Sequence, residues 1–277
     1  MNALKSHAVY FKFSMMKVLA LFLFICTAFC IVSCEKVIDV QLKDASPLLV
    51  IEGIITNRTD SQYVKINQSV PFGESNTYPE VSNAVVTIQD GTGRVFTLRE
   101  RRPGFYMARN FVAHSGRTYK LKVEYEGKEY TASSTMPQQV NIDSLGVSVS
   151  SFFGEEQRTV QILFNDPPAT KNYYRFLLRV NGLPSKRIFV FDDNFTNGKK
   201  VSRELFDLDL SAKSGDKAEI EMQCIDQVIY RYWQGLDQNE NRGGASTTPA
   251  NPVSNISNGA LGYFSAHTKQ NEKLIIP

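Results

Sequence analysis

The sequence predicts a mainly β chain, with an antiparallel β-sandwich followed by a second antiparallel β domain that carries one short helix. Three observations predict it. Apolar and polar residues alternate with period two over most of the chain, as half-buried strands do. Turn residues punctuate that alternation at intervals of roughly ten residues, the spacing of a sandwich. Only one segment, Asp226–Leu236, places apolar residues at helical spacing, with Val228, Ile229, Tyr232, Trp233 and Leu236 at i, i+3, i+4 and i+7.

The elements follow in order. Pro47–Thr56 (PLLVIEGIIT) is a strand candidate whose internal Gly53 suggests a bulge or a close backbone approach. Gln62–Val70 is the second strand, followed by a loop through Pro71, Gly73 and Pro79. Ala84, Val86 and Ile88 share a face, Asp90–Gly93 (DGTG) reverses the chain, and Phe96 and Leu98 return an apolar face, which makes a hairpin. Phe105–Asn110, the alternating Tyr119–Tyr125 and Lys128–Thr135 complete seven strands, and Pro137 closes a sandwich domain over 46–137. Tyr106 reads as solvated on its outer face. In the second domain, 138–277, strands are expected at Asn141–Ser150, Thr159–Asn165, Tyr173–Val180, Arg187–Phe191, Leu205–Leu210, Ala218–Cys224 and Gly259–Ala266, the last returning to the second sheet. Gly243–Asn258, rich in Gly, Ser, Thr, Pro and Asn, reads as a loop.

Composition bounds the function. With 42% hydrophobic and 21% charged residues among 277, collagen-like, disordered and multi-span membrane chains are excluded. The amino end carries Lys5, Lys12 and Lys17, no acidic residue before Glu35, and the apolar run Val18–Val32. That run is shorter than the ~20 residues a spanning helix needs and reads as a secretory signal core. Met1, Met15 and Met16 are alternative starts. Ile31-Val32-Ser33-Cys34 resembles a bacterial lipobox, so residues 1–33 are expected to be a lipoprotein signal peptide, Cys34 the lipid attachment site and 34–45 the tether. Without residues 1–33 the 277 residues become 244, and the 31 basic residues become 28 against an unchanged 28 acidic ones. The formal +3 belongs wholly to the leader, and no basic stripe remains to bind nucleic acid.

Chemistry-bearing residues are sparse. His114 and His267 lie far apart, outside any HExxH pattern, and no GxSxG elbow, P-loop or GxGxxG occurs. Cys224 alternates with polar neighbours on the face of Ala218, Ile220 and Met222, which makes it a core thiol. The doublets Glu155-Glu156 and Asp192-Asp193 point to opposite strand faces within each pair and read as solvated loop charge. Asp192–Gly198 and Asp237-x-Asn239-x-Asn241 resemble calcium loops at a glance but lack the glycine at the sixth position, and read as polar turns. No catalytic, cofactor or metal residue is expected. Tyr230 and Trp233 are the candidate ligand contacts, as rings that could stack on a sugar or peptide, against the simpler reading of Trp233 as core packing on the stripe of Tyr232 and Leu236.

Taken in order, Cys34, Leu49–Thr56, Asn83–Ile88, Gly127…Tyr130-Thr131-Ala132, Asp166-Pro167, Asn172–Phe176, Tyr232-Trp233 and Asn255–Gly259…Gly262-Tyr263-Phe264 resemble the Bacteroidota lipoproteins of domain of unknown function 4249. The first unit is also similar to transthyretin-like and immunoglobulin-like sandwiches. The resemblance implies an outer-membrane lipoprotein, on the surface or the periplasmic face, often encoded beside TonB-dependent receptors. It carries no catalytic residues. The expected function is a non-enzymatic binding or accessory module, with such a receptor as partner in nutrient uptake and the membrane held through the Cys34 lipid. A glycan or peptide hydrolase using loop carboxylates, and a structural adhesin, are the alternatives.

Overall fold

Alternating burial along the strands carries the sequence pattern into three dimensions. In the computed structural model, which describes residues 46–59, 62–71, 77–152, 154–168, 170–210, 212–241 and 251–277, the chain is mainly β with two sheets and one helix. Cys34, the leader and the tether lie outside the described residues.

The first seven strands are β1 (Leu49–Thr56), β2 (Tyr63–Gln68), β3 (Val85–Gln89), β4 (Val95–Arg102), β5 (Phe105–Met107), β6 (Thr118–Tyr125) and β7 (Lys128–Thr135). Ile51, Ile55, Val64, Ile66, Val86, Ile88, Leu121 and Val123 face one buried core. Gly53 makes no bulge, since its pairing with both neighbours runs unbroken. The glycine instead leaves room for Phe264, whose ring would lie 2.7 Å from a Cβ placed there. Tyr106 is the exception to its expected place. It is 1% exposed, because the three-residue β5 turns it inward beside Val64. Its hydroxyl donates to the Val81 carbonyl and accepts the Ala84 N–H, both at 3.0 Å, so the buried phenol closes the loop above it.

The remaining strands are β8 (Ile142–Phe152), β9 (Glu155–Asn165), β10 (Tyr173–Val180), β11 (Leu183–Pro184), β12 (Phe189–Asp192), β13 (Lys200–Leu205), β14 (Lys217–Ile225) and β15 (Leu261–Ile275), with helix α1 (Gln227–Asn241) between the last two. The inward side chains of β10 and β14 pack against those of β9 and β13 in a second core. Cys224 sits there, 3% exposed, with its Sγ accepting the Val140 N–H at 3.3 Å. The strand expected at Leu205–Leu210 instead ends at Leu205. Buried Asp207 turns the chain: its carboxylate accepts the Asp209 N–H at 3.0 Å and the Ser185 hydroxyl at 2.5 Å.

One sheet runs β11-β10-β14-β15-β1-β2-β5-β4-β3-β6-β7, with β12 also against β10; the other is β13-β9-β8. Ala45–Pro277 is accordingly one compact unit. The last strand, expected to end at Ala266 and to return to the sheet of the second domain, instead runs on to Ile275 as β15 and joins β14 to β1 within the larger sheet. Its residues 261–267 run parallel to β1, and its residues 268–275 run antiparallel to β14. At about 3.3 Å per residue, its fifteen residues are long enough to serve both cores.

Candidate functional site

Because β15 joins β14 to β1, the larger sheet presents one continuous outer face opposite the two cores. Along β10 that face carries Tyr173, Arg175, Leu177 and Arg179; along β14, Gln223, Glu221 and Glu219; along β15, Tyr263, His267, Lys269, Asn271 and Lys273. Ile54 and Thr56 of β1 and Tyr63 of β2 continue it. All of these side chains except Tyr173, which packs under the helix, line a depression of about 560 Å³.

Helix α1 closes one end of this face. Asp226 caps it, accepting the Ile229 N–H at 2.9 Å with one oxygen, while the other accepts the Ser134 hydroxyl at 2.6 Å and the Thr135 N–H at 3.1 Å. Ser134 in turn accepts the Ala266 N–H at 2.9 Å, so the helix start is tied to both β7 and β15. From that anchor Ile229, Tyr230, Tyr232 and Trp233 pack with Tyr173, Ile225 and Tyr263. Val228, expected on the apolar stripe, is 42% exposed, because the face that meets the sheet is centred on Ile229 and Trp233.

Of the two expected ligand contacts, Trp233 packs edge-on to Tyr232 and Tyr263, at 5.5 and 5.3 Å between centroids, and carries the Arg175 guanidinium 3.5 Å above its ring. Tyr230 points elsewhere: its ring packs on Tyr173 at 5.0 Å and its hydroxyl accepts from Gln234 at 2.9 Å. The two rings therefore do not form a shared platform. Trp233 with Leu236 lines a second, smaller depression of about 270 Å³, and Arg175 borders both.

Arg175 is the charge the sequence reading passed over. Its Nη1 donates to Gln223 Oε1 at 3.3 Å; Gln223 donates onward to Glu221 at 2.6 Å, and Glu221 is held by Lys269 at 2.9 Å. Burial pushes the guanidinium below its usual range. Burial likewise raises the phenols of Tyr63 and Tyr263, and takes Tyr232 up to about 12, so all three remain protonated donors at neutral pH. His267 is buried beside Ser265, with Nδ1 2.9 Å from the hydroxyl, and burial brings it down to about 3. It stays neutral.

The loop carboxylates lie apart from this face. Asp193, expected in solvent, is buried and accepts the Asn172 N–H at 2.8 Å. Buried Asp166 accepts from the Tyr174 hydroxyl and, at 3.2 Å, from the Gly198 N–H. Asp192 forms an Asx turn with the Asn194 N–H at 3.2 Å. Asp237, Asn239 and Asn241 fall within α1, not in a turn. Glu156 pairs with Arg158 at 2.5 Å, and the side chain of Glu155 lies outside those described.

The family model for the Domain of unknown function (DUF4249) matches residues 35–273. The chain belongs to this family. No curated protein matches it. The segments by which it resembles DUF4249 sequences have physical roles here. Gly262, at φ +94, lies so close to β1 that a Cβ would stand 2.1 Å from the Ile51 carbonyl oxygen. Asn255 holds the strand that follows, its amide donating to the Phe264 carbonyl at 2.8 Å and accepting the Phe264 N–H at 2.9 Å. Ser257 caps the β7 edge, accepting the Thr131 N–H at 2.7 Å. In this DUF4249 chain Asn172–Phe176 delivers Arg175, and Tyr232-Trp233 delivers the ring over which it lies.

Proposed function

We propose that this DUF4249 protein is a non-enzymatic binding module, held at the outer membrane through a lipid on Cys34 and acting beside a TonB-dependent receptor in nutrient uptake. The observation that carries the binding role is the depression on the outer face, whose floor is five paired strands and whose border with the capped helix is Arg175, held over the Trp233 ring. Preformed sites of about 300–1,000 Å³ with a few fixed polar groups are the usual form of small-molecule sites. Its non-enzymatic character is supported by the use of Asp166 and Asp193 to hold backbone turns, which leaves these loop carboxylates engaged in structure. The tether and the receptor follow from the lipobox and the family resemblance. No helix among the described residues is long and apolar enough to cross a membrane.

Affinity capture of the full-length protein from detergent-solubilised outer membranes is expected to bring down a TonB-dependent receptor. Recovery without any such receptor would remove the accessory role. In fractionated cells, Cys34→Ala is expected to move the protein from the membrane to the soluble fraction, and membrane retention equal to the parent would remove the lipid anchor.

A further inference from the structure

The outer-face depression has an imbalance of charge at one atom group. Two carboxylates lie near enough to act on Arg175, Glu221 and Glu52, and each already has a lysine: Lys269 at 2.9 Å and Lys65 at 4.0 Å. Among the described residues Arg175 makes no ion pair of its own. Of its five N–H donors, one reaches a neutral amide oxygen at 3.3 Å. Its planar group is meanwhile held in place by the Trp233 ring 3.5 Å away. A desolvated guanidinium with a fixed plane, donors to spare and neighbouring carboxylates already held by lysines is arranged as a receptor for an oxyanion, since its fork matches carboxylate and phosphate oxygens two at a time.

We propose that Arg175 binds the anionic group of a small organic ligand, a carboxylate or phosphate on a sugar-sized polar body that lies in the outer-face depression. The body would meet the phenols of Tyr63 and Tyr263, the Gln223 amide and the Lys269 ammonium, all of which line the same space. Its volume of about 560 Å³ suits a ligand of one or two sugar rings. The larger depression over β3, β6 and β7 has no comparable desolvated group, because its Lys120 is exposed to solvent and its Lys122 is paired with Glu124 at 2.5 Å and Glu129 at 3.2 Å. The proposal rests on the reading of the chain as a binding module and names its ligand chemistry.

The chain contains a single tryptophan, so its intrinsic emission reports on the ring that carries Arg175. The test titrates detergent-solubilised full-length protein with D-glucuronate, D-glucose 6-phosphate and neutral D-glucose at constant ionic strength. A saturable emission change with either anion, and none with glucose, is the expected result; the anion that acts identifies carboxylate or phosphate. Arg175→Lys, which keeps the charge but loses the fork and the stack, should weaken binding at least tenfold. As a check that needs no variant, the effective anion should protect Arg175 from phenylglyoxal, read by peptide mass spectrometry. An equal response to glucose, no response to either anion up to about 10 mM, or unchanged labelling of Arg175 would overturn the proposal. Capture of a receptor together with a silent titration would leave the tethered module standing and remove the anion site.

Discussion

The guanidinium carbon of Arg175, on β10, lies 3.5 Å from the centre of the Trp233 ring, on helix α1. This contact fastens the helix to the sheet through a cation and a π face, a pairing whose strength rises to about 2 kcal/mol when water is excluded. It also fixes the plane of the guanidinium at the border of two depressions.

Trp233→Leu keeps apolar bulk against Tyr263 but removes the ring beneath Arg175. Unfolding in urea, followed by far-ultraviolet circular dichroism, should show a loss of about 2 kcal/mol. Trp233→Phe should lose less, because a weaker π face remains. Equal midpoints for all three proteins would show that the stack contributes nothing to the fold.

Asp226→Ala removes the helix cap and leaves the Ser134 hydroxyl and the Thr135 N–H without their acceptor. A loss of about 2 kcal/mol is expected, together with faster amide exchange in the first turn of α1. Asp226→Asn should recover part of it, since an amide oxygen also caps. Exchange confined to parental rates in the alanine variant would contradict the tie between helix and β7.

Gly262→Ala would drive a methyl group into the Ile51 backbone at a positive φ. The parallel β1–β15 pairing cannot open without exposing Phe264, so a loss above about 4 kcal/mol, or failure to accumulate folded protein, is expected. Gly127→Ala, at φ +72 with open space around it, should cost only about 1 kcal/mol. Similar melting temperatures for the two variants would refute the close approach.

His267 has its folded pKa lowered to about 3 from the ordinary value of 6.5. The unfolded chain therefore takes up the proton first as pH falls. The stabilisation is full above pH 6.5 and is lost between 6.5 and about 3, at a slope near 1.4 kcal/mol per pH unit. His267→Gln should flatten that slope by one proton over this window, measured as the pH dependence of unfolding free energy. Parallel curves for parent and variant would mean that the imidazole is hydrated in the folded protein.

Much of the strand content was readable because period-two alternation is a local property. Tyr173–Val180 and Lys128–Thr135 stand where the pattern puts them, and the inward set Ala218, Ile220, Met222 and Cys224 is the buried set. Tyr106 and Asp193 were not readable. A phenol and a carboxylate look solvated in sequence, and only hydrogen bonds to Val81, Ala84 and Asn172 make their burial tolerable. Arg175 gave no signal either, since an arginine alternating with Tyr174 and Phe176 has the form of an ordinary outward charge. It becomes a candidate anion receptor only when α1 brings Trp233 over it and the nearby carboxylates are taken by lysines.

Composition, charge and short-range spacing thus settle most of the segments that become strands, most of the faces that turn inward and where the apolar core is drawn from. They also supply the leader and lipobox reading at Cys34. Pairing is another matter, because it depends on contacts between distant parts of the chain. The second half of β15, TKQNEKLI, is too polar to read as a strand, yet it pairs with β14 on one edge while the preceding residues pair with β1 on the other. Lys269 donates its N–H to Asn57 across 212 residues. Such contacts gain free energy only after the entropy of closing long loops has been met, and they are selected by the fit of whole faces. The outer face, and the guanidinium set into it beside Trp233, are products of that fit.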